Sequence, residues 1–220
     1  MKKKIDHTTT GLVAIYKPAG PTSHDIVDMV RRATGVRKVG HAGTLDPLAR
    51  GVLVVAIGRE ATKQIAAVVA KEKEYIARVR LGVTSTTDDE EGEKEVHGVE
   101  EVLRPEVEKV VEKFIGKIEQ MPPIYSAVKI AGQEAYKRAR RGEEVKMKLR
   151  QVEIKEIEIL SYKWPYLELR VVTGPGVYIR SLARDIGGKL GMGGYLADLE
   201  RTRVGDFTKE KAVRIENGKK

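Results

Sequence analysis

Three kinds of hydrophobic pattern alternate along the chain. Gly11 to Tyr16 and Val52 to Ile57 are continuous apolar runs, which predicts two strands, the second buried on both faces. Between them, Ile26, Val27, Val30 and Ala33 fall on one helical face. That spacing predicts a helix from about His24 to Ala33, capped by Ser23 and ended by Gly35. Lys17 to Pro21 reads as a turn, and residues 35–51 as an irregular, glycine-rich stretch. A helix over residues 60–70 is expected after the second strand. Tyr75 to Leu81 alternates: Tyr75, Ala77, Val79 and Leu81 face one way, and Ile76, Arg78 and Arg80 the other. This predicts a half-buried strand.

Residues 84–98 read as a solvated acidic loop. Pro105 opens a helix whose stripe is Val107, Val110, Val111, Phe114 and Ile115. Val152 to Leu160 and Tyr166 to Thr173 alternate on either side of a Trp164–Pro165 turn. A helix from Ile179 to Leu190 is expected to turn Ile179, Leu182, Ala183, Ile186 and Leu190 inward. Strands and helices mix without a regular βαβ rhythm, which argues for an α+β fold and against a doubly wound one.

Composition narrows the picture. The chain has 220 residues, 41% of them hydrophobic, enough for one domain of generous size or two small ones. No cysteine is present, which removes disulfides, thiolate metal sites and cysteine nucleophiles and suits a reducing, cytoplasmic setting. No apolar run approaches the ~20 residues of a membrane span. The opening Met-Lys-Lys-Lys lacks the apolar segment of a secretory signal. The formal charge is +9, yet residues 84–112 hold eleven acidic and three basic side chains. The remaining chain is therefore strongly basic, which is open to two readings: a polyanionic partner or a solvated basic surface.

Familiar nucleotide and metal motifs are missing. Gly35 to Gly40 has the glycine spacing of a phosphate-binding loop, but His41 stands where lysine is required. The four histidines lack i,i+4 pairing or nearby acidic ligands, so no metal site is expected. The unusual segment is Gly40-His41-Ala42-Gly43-Thr44-Leu45-Asp46-Pro47-Leu48-Ala49-Arg50-Gly51. Its glycines permit tight turns and close backbone approach. Loops held on a rigid strand are where sites tend to lie. Taken alone, Asp46 is open to two readings, a turn-capping carboxylate or a catalytic one.

This segment resembles the signature of the TruB family of tRNA pseudouridine synthases. Further blocks resemble the family in order over residues 11–205: Lys17-Pro18 with Gly20; Lys73-Glu74-Tyr75; Thr84 to Gly92; Pro122 to Lys129, then Gly132, Tyr136, Ala139, Arg140 and Gly142; Gly176 to Arg180; and Leu196 to Arg201. Val177 departs from the threonine the family often has there. The resemblance implies a pseudouridine synthase fold, with a curved, mixed, mostly antiparallel sheet flanked by helices and a catalytic cleft across one face. The expected organisation is a basic tail over 1–10, a catalytic domain over 11–215 and a charged tail over 216–220, without the small PUA-like domain many members carry.

The same resemblance implies an isomerase that converts uridine 55 of the tRNA T loop to pseudouridine after flipping the base out. No cofactor, metal, guide RNA or obligatory protein partner is expected, and the protein is expected to act as a monomer. Asp46 matches the catalytic aspartate, Arg180 the arginine that pairs with it, and Tyr75 the tyrosine stacked on the target base. The residue-level alternatives are a core aromatic for Tyr75 and a solvated cation for Arg180. His41 matches the residue near the vacated stack, Leu199 a pocket residue, and Lys17 a positioning residue whose alternative is surface charge. On a strand, Tyr178 would share a face with Arg180 and help build the pocket wall. Residues 129–150 carry eight basic and three acidic side chains, so Lys129, Arg140 and Arg141 are candidates for phosphate contacts. Two other functional readings are a guide-dependent, dyskerin-like synthase and a tRNA chaperone with little catalysis.

Overall fold

The computed structural model describes residues 5–98 and 100–214; residues 1–4 of the basic tail and all of the charged C-terminal tail lie outside them. In chain order the elements are β1 (Gly11–Lys17), α1 (Ser23–Thr34), β2 (Val39–Ala42), β3 (Arg50–Ile57), α2 (Arg59–Lys63), α3 (Ile65–Val69) and β4 (Lys73–Leu81). Next come β5 (Val83–Ser85), β6 (Lys94–Val96), α4 (Arg104–Val111) with a 3₁₀ turn (Glu112–Phe114), β7 (Gly116–Gln120), β8 (Lys129–Ile130), β9 (Gln133–Glu134) and α5 (Ala135–Ala139). The chain finishes with β10 (Arg150–Lys163), β11 (Tyr166–Thr173), α6 (Ile179–Lys189), β12 (Gly194–Val204), β13 (Phe207–Thr208) and β14 (Val213–Arg214). It divides into two compact units, one of residues up to Ile76 with those from Leu199, the other Ala77–Asp198.

In the first unit β1 and β3 pair antiparallel, from Gly11 opposite Ile57 to Lys17 opposite Gly51. β2 adds antiparallel to β3, while β14 runs parallel to β1. β12 meets β3 in parallel, with Glu200 opposite Arg50 and Arg201 opposite Gly51. Every residue of β3 from Gly51 to Ile57 is buried, as a continuous apolar run predicts. One face of this layer packs Ala14, Ala42, Val52, Val54, Val68 and Val204 together. In the second unit β10 pairs antiparallel with both β11 and β7, and β5–β6 and β8–β9 are small hairpins. There α4 packs on α6 and β10. The pairing is mixed and mostly antiparallel, with helices against it, which is the α+β fold class that the pattern predicts. Among the described residues no helix is long and apolar enough to cross a membrane.

Several local expectations shift. The cap of α1 is Thr22: its side chain accepts from the Asp25 amide at 3.1 Å, and Asp25 accepts from the Thr22 amide at 2.8 Å, a reciprocal capping box. Ser23 is thereby free for another task. Ala33 is exposed, and Thr34 takes its inward place by donating to Val30 O at 2.8 Å. The helix expected over 60–70 is two short helices broken at Gln64. The glycine-rich stretch contains β2, and the acidic segment is not wholly solvated, because Asp89 is buried. Ile115 and Leu190 fall beyond the regular turns of their helices and are not buried.

Candidate active site

Asp46 lies in the connection from β2 to β3, half-buried between the buried anchors Leu45 and Ala49. The Ala49 amide donates to Asp46 O at 3.1 Å, closing a turn with Pro47 in its second position, where a fixed φ is favourable. Around this turn the backbone acceptors are taken up one after another by buried donors. Lys17, 0% exposed, donates its Nζ to Pro18 O (2.9 Å), Pro47 O (3.2 Å) and Ala49 O (2.6 Å). The Gly20 amide also donates to Pro47 O, at 2.8 Å. Ser23 Oγ accepts from the Leu45 amide at 2.8 Å and donates to Leu45 O at 2.9 Å. Arg201, 1% exposed, donates from Nε to Val52 O (2.8 Å), from Nη1 to Thr44 O (3.3 Å) and from Nη2 to Gly43 O (2.9 Å). A loop without a ladder of its own thus has its polar backbone satisfied by side chains from three distant places. Lys17 is a buried clamp rather than surface charge.

His41 stands in β2 opposite Val55, half-buried, with Nδ1 buried and unpartnered among the described residues. Burial, then the positive charges of Arg201 and His24, lower its pKa, so the ring is neutral at pH 7. Tyr75 is buried on β4, on the same face as Lys73 and Ala77. Leu199 is buried on β12 and shares a strand face with Arg201, two residues on. Lys73 is also buried and donates to Val69 O at 2.8 Å and Lys71 O at 2.7 Å. Burial, then Arg201, pull its pKa down to about 8.

In the second unit Arg180 is the second residue of α6 and is 6% exposed, not solvated. Its guanidinium donates to Tyr125 O (2.7 Å), Thr87 O (3.3 Å) and Asp89 Oδ2 (3.3 Å). Asp89 also accepts from the Thr87 hydroxyl and, at 3.0 Å, from the Glu91 amide. Tyr178 is the extended N-cap residue of α6, so it and Arg180 are not on a strand sharing a face. The buried Gln120 holds Tyr178 from both sides: Oε1 accepts from the Tyr178 amide at 2.8 Å, and Nε2 donates to Tyr178 O at 3.1 Å. Ser181 and Arg184 both donate to Met121 O, at 2.8 and 2.9 Å, docking the start of α6 on the same segment. Arg184 also pairs with Asp88 at 2.7 Å. The Asp88 pKa is nevertheless raised, because burial outweighs its two arginine neighbours.

Of the candidate phosphate contacts, Lys129 lies in β8 and Arg140 caps the C-terminus of α5, 5.6 Å from the Tyr136 ring centre. Arg141 is tied to Glu143 and Gln133, at 2.7 and 2.8 Å. A second basic surface, unmarked by the sequence pattern, is a concavity of about 470 Å³ in the first unit. Arg31, Arg37, Lys38, Arg59 and Lys63 line it.

Six of the sequence blocks therefore assemble by threes. Lys17 to Gly20, Gly40 to Gly51 and the end of the last block, Leu199 to Arg201, meet around the Asp46 loop. Thr84 to Gly92, Pro122 to Lys129 and Gly176 to Arg180 meet around Arg180. Arg201, Asp89 and Gln120 were not singled out as site residues by sequence reasoning, and Ser23 was read only as a helix cap. Their types and spacing carry no sign that they would be buried against backbone.

A family model described as the TruB family pseudouridylate synthase N-terminal domain matches residues 31–179. A second, described as the tRNA pseudouridylate synthase B C-terminal domain, matches residues 180–218. The chain belongs to the TruB family of pseudouridylate synthases. It is 46% identical over 215 residues to the tRNA pseudouridine synthase B of Thermobifida fusca, covering 94% of this chain and 73% of that one. The Clostridium tetani tRNA pseudouridine synthase B is 42% identical, with 94% and 72% covered. Among solved structures, a chain of a Cbf5-Nop10-Gar1 complex matches with TM-score 0.74 and 32% identity, over 95% of this chain and 53% of that one. A chain of an H/ACA RNP bound to a substrate RNA containing 2'-deoxyuridine matches with TM-score 0.70 and 30% identity, over 94% and 52%. The chain spans about half the length of these solved chains.

Proposed function

We propose that this protein isomerises uridine 55 in the T loop of tRNA to pseudouridine, as a monomeric cytoplasmic enzyme needing no guide RNA, cofactor or protein partner. The observation that carries this reading is the clamped Asp46 loop within a chain that matches the family over residues 31–218. In the reaction the C1′–N1 glycosidic bond breaks and a C1′–C5 bond forms. The C5 proton leaves and N1 takes one up, so uridine and product are isomers.

Asp46 is the essential carboxylate, acting as nucleophile or as base on the sugar. Arg180 is the cation that accompanies that carboxylate in the family pattern, favouring its ionised form and fixing its plane. Tyr75 supplies a flat ring against the flipped base, and Leu199 and Tyr178 complete its walls. Extracting the base costs roughly a few kcal/mol of unstacking. The neutral ring of His41 can replace a lost stacking partner without bringing a charge into the helix. Lys17 positions the loop. Lys129, Arg140 and Arg141 grip phosphates of the T arm, and so do the cations of the second basic concavity, with salt-dependent affinity. Residues 11–215 serve as the catalytic domain.

The test is pseudouridine formation on an unmodified tRNA transcript, read by carbodiimide-blocked primer extension, with wild type and Asp46→Asn and without guide RNA. Product at the T-loop uridine from wild type alone is expected. Binding without product from the wild type refutes the reading and favours a chaperone. Product appearing only when a guide RNA and partner proteins are added favours the dyskerin-like alternative.

A further inference from the structure

We infer that Arg201 is a positioning residue for catalysis: it sets the bend that presents Asp46, from a strand 155 residues later. Asp46 follows directly on a segment whose carbonyls, Gly43 O and Thr44 O, converge on one guanidinium. The same guanidinium holds Val52 O on the strand leaving the loop. Arg201 therefore ties the entry of the loop to its exit. The planar fork of arginine spreads its donors over three nitrogens, so Nε reaches Val52 O on the exit strand while Nη1 and Nη2 reach Thr44 O and Gly43 O at the entry.

The surrounding structure is built to admit this side chain. Arg201 pairs in register with Gly51, and a β-carbon at Gly51 would lie 2.2 Å from Arg201 O, so only glycine lets the two backbones approach this closely. A β-carbon at Gly43 would meet Arg201 Nη1 at 3.6 Å and Lys73 Cε at 3.8 Å. Arg201 and Lys73 thus lie under the same glycine, two buried cations whose mutual repulsion contributes to the low Lys73 pKa. Burying a guanidinium is expensive, and neutral carbonyls offset that cost less well than a carboxylate. Holding a catalytic loop in one geometry gives the arrangement a reason, since misplacing a reacting group by about 1 Å can cost on the order of 10²-fold in rate.

This inference rests on Asp46 being the essential carboxylate, and the experiment separates the two. Arg201→Lys and Arg201→Met are compared with wild type and Asp46→Asn in single-turnover pseudouridine formation, tRNA binding and amide hydrogen exchange. Arg201→Lys keeps the charge on a single donor nitrogen and guards against a misfolded Met variant. The expected result is a loss of rate of roughly 10²-fold with binding within about threefold of wild type. Protection is lost at the Leu45 and Ala49 amides and kept at the paired strands β1 and β3. The lysine variant is expected to recover part of the rate. Rates within threefold of wild type in both variants overturn the inference. A general loss of protection across β1 and β3 also overturns it, because Arg201 is then merely structural. An active Asp46→Asn instead removes the reading beneath it, whatever the Arg201 variants do.

Discussion

Ser23→Ala isolates the clamp on the loop with the smallest chemical change. It removes one oxygen that both accepts from the Leu45 amide (2.8 Å) and donates to Leu45 O (2.9 Å). Ser23 is 2% and Leu45 3% exposed, so neither orphaned group reaches bulk water. The void left is about the size of one oxygen, below the ~10–15 Å³ that a replacement water needs. Each unsatisfied buried group costs about 1–3 kcal/mol. Alanine's better helix propensity returns only about 0.5 kcal/mol at this first turn. The net destabilisation is therefore about 2–5 kcal/mol. For a chain of this size that corresponds to a Tm lower by roughly 5–15 °C. Urea unfolding and a thermal scan measure it, and Ser23→Thr serves as a control that keeps the hydroxyl. A change below about 0.5 kcal/mol refutes the reasoning, since it means that Leu45 finds other partners or that the loop relaxes freely.

Other outcomes follow from the same structure. Gly51→Ala is expected to prevent folding, because its β-carbon falls 2.2–2.8 Å from Arg201 backbone atoms at a φ of +113°; Gly11→Ala, at φ +90° in open space, is expected to cost only about 1–3 kcal/mol. A solubility and circular dichroism comparison of the two separates steric conflict from backbone strain. Lys73 has a folded pKa of about 8 against about 10.4 when unfolded, so between those values the unfolded chain binds more protons and stability rises with pH. Denaturant midpoints at pH 7.5 and 9.5 are expected to show that rise in wild type and to lose it in Lys73→Met. Arg140→Gln removes one candidate phosphate contact; tRNA affinity is expected to fall and the log–log salt slope to shrink by about one, as measured by filter binding at several salt concentrations.

The sequence by itself determined the strands and helices whose apolar periods are unbroken. β1, β3, β4, β10, β11, α1 and α6 fall where period and turn residues place them, because burial of a face is dictated locally by which positions are apolar. It also marked Asp46, since an aspartate directly before a proline in a glycine-rich segment is an unusual combination. What it left open was the fate of charged residues. Lys17, Lys73, Asp89, Arg180 and Arg201 are of types that ordinarily face solvent, yet all are buried. Their burial depends on hydrogen-bond partners, some supplied by segments up to 158 residues away, such as Gly43 O for Arg201 and the Arg180 guanidinium for Asp89. Short strands were equally illegible: β2 and β14 have few residues and no period, and pairing with β3 and β1 makes them strands. Ser23 shows the same limit from the other side. A cap residue by type, it clamps Leu45 because Thr22 already caps α1 and because the fold brings Leu45 to it. Local pattern fixes which faces are apolar, whereas the partners of buried polar groups exist only once the chain has closed on itself.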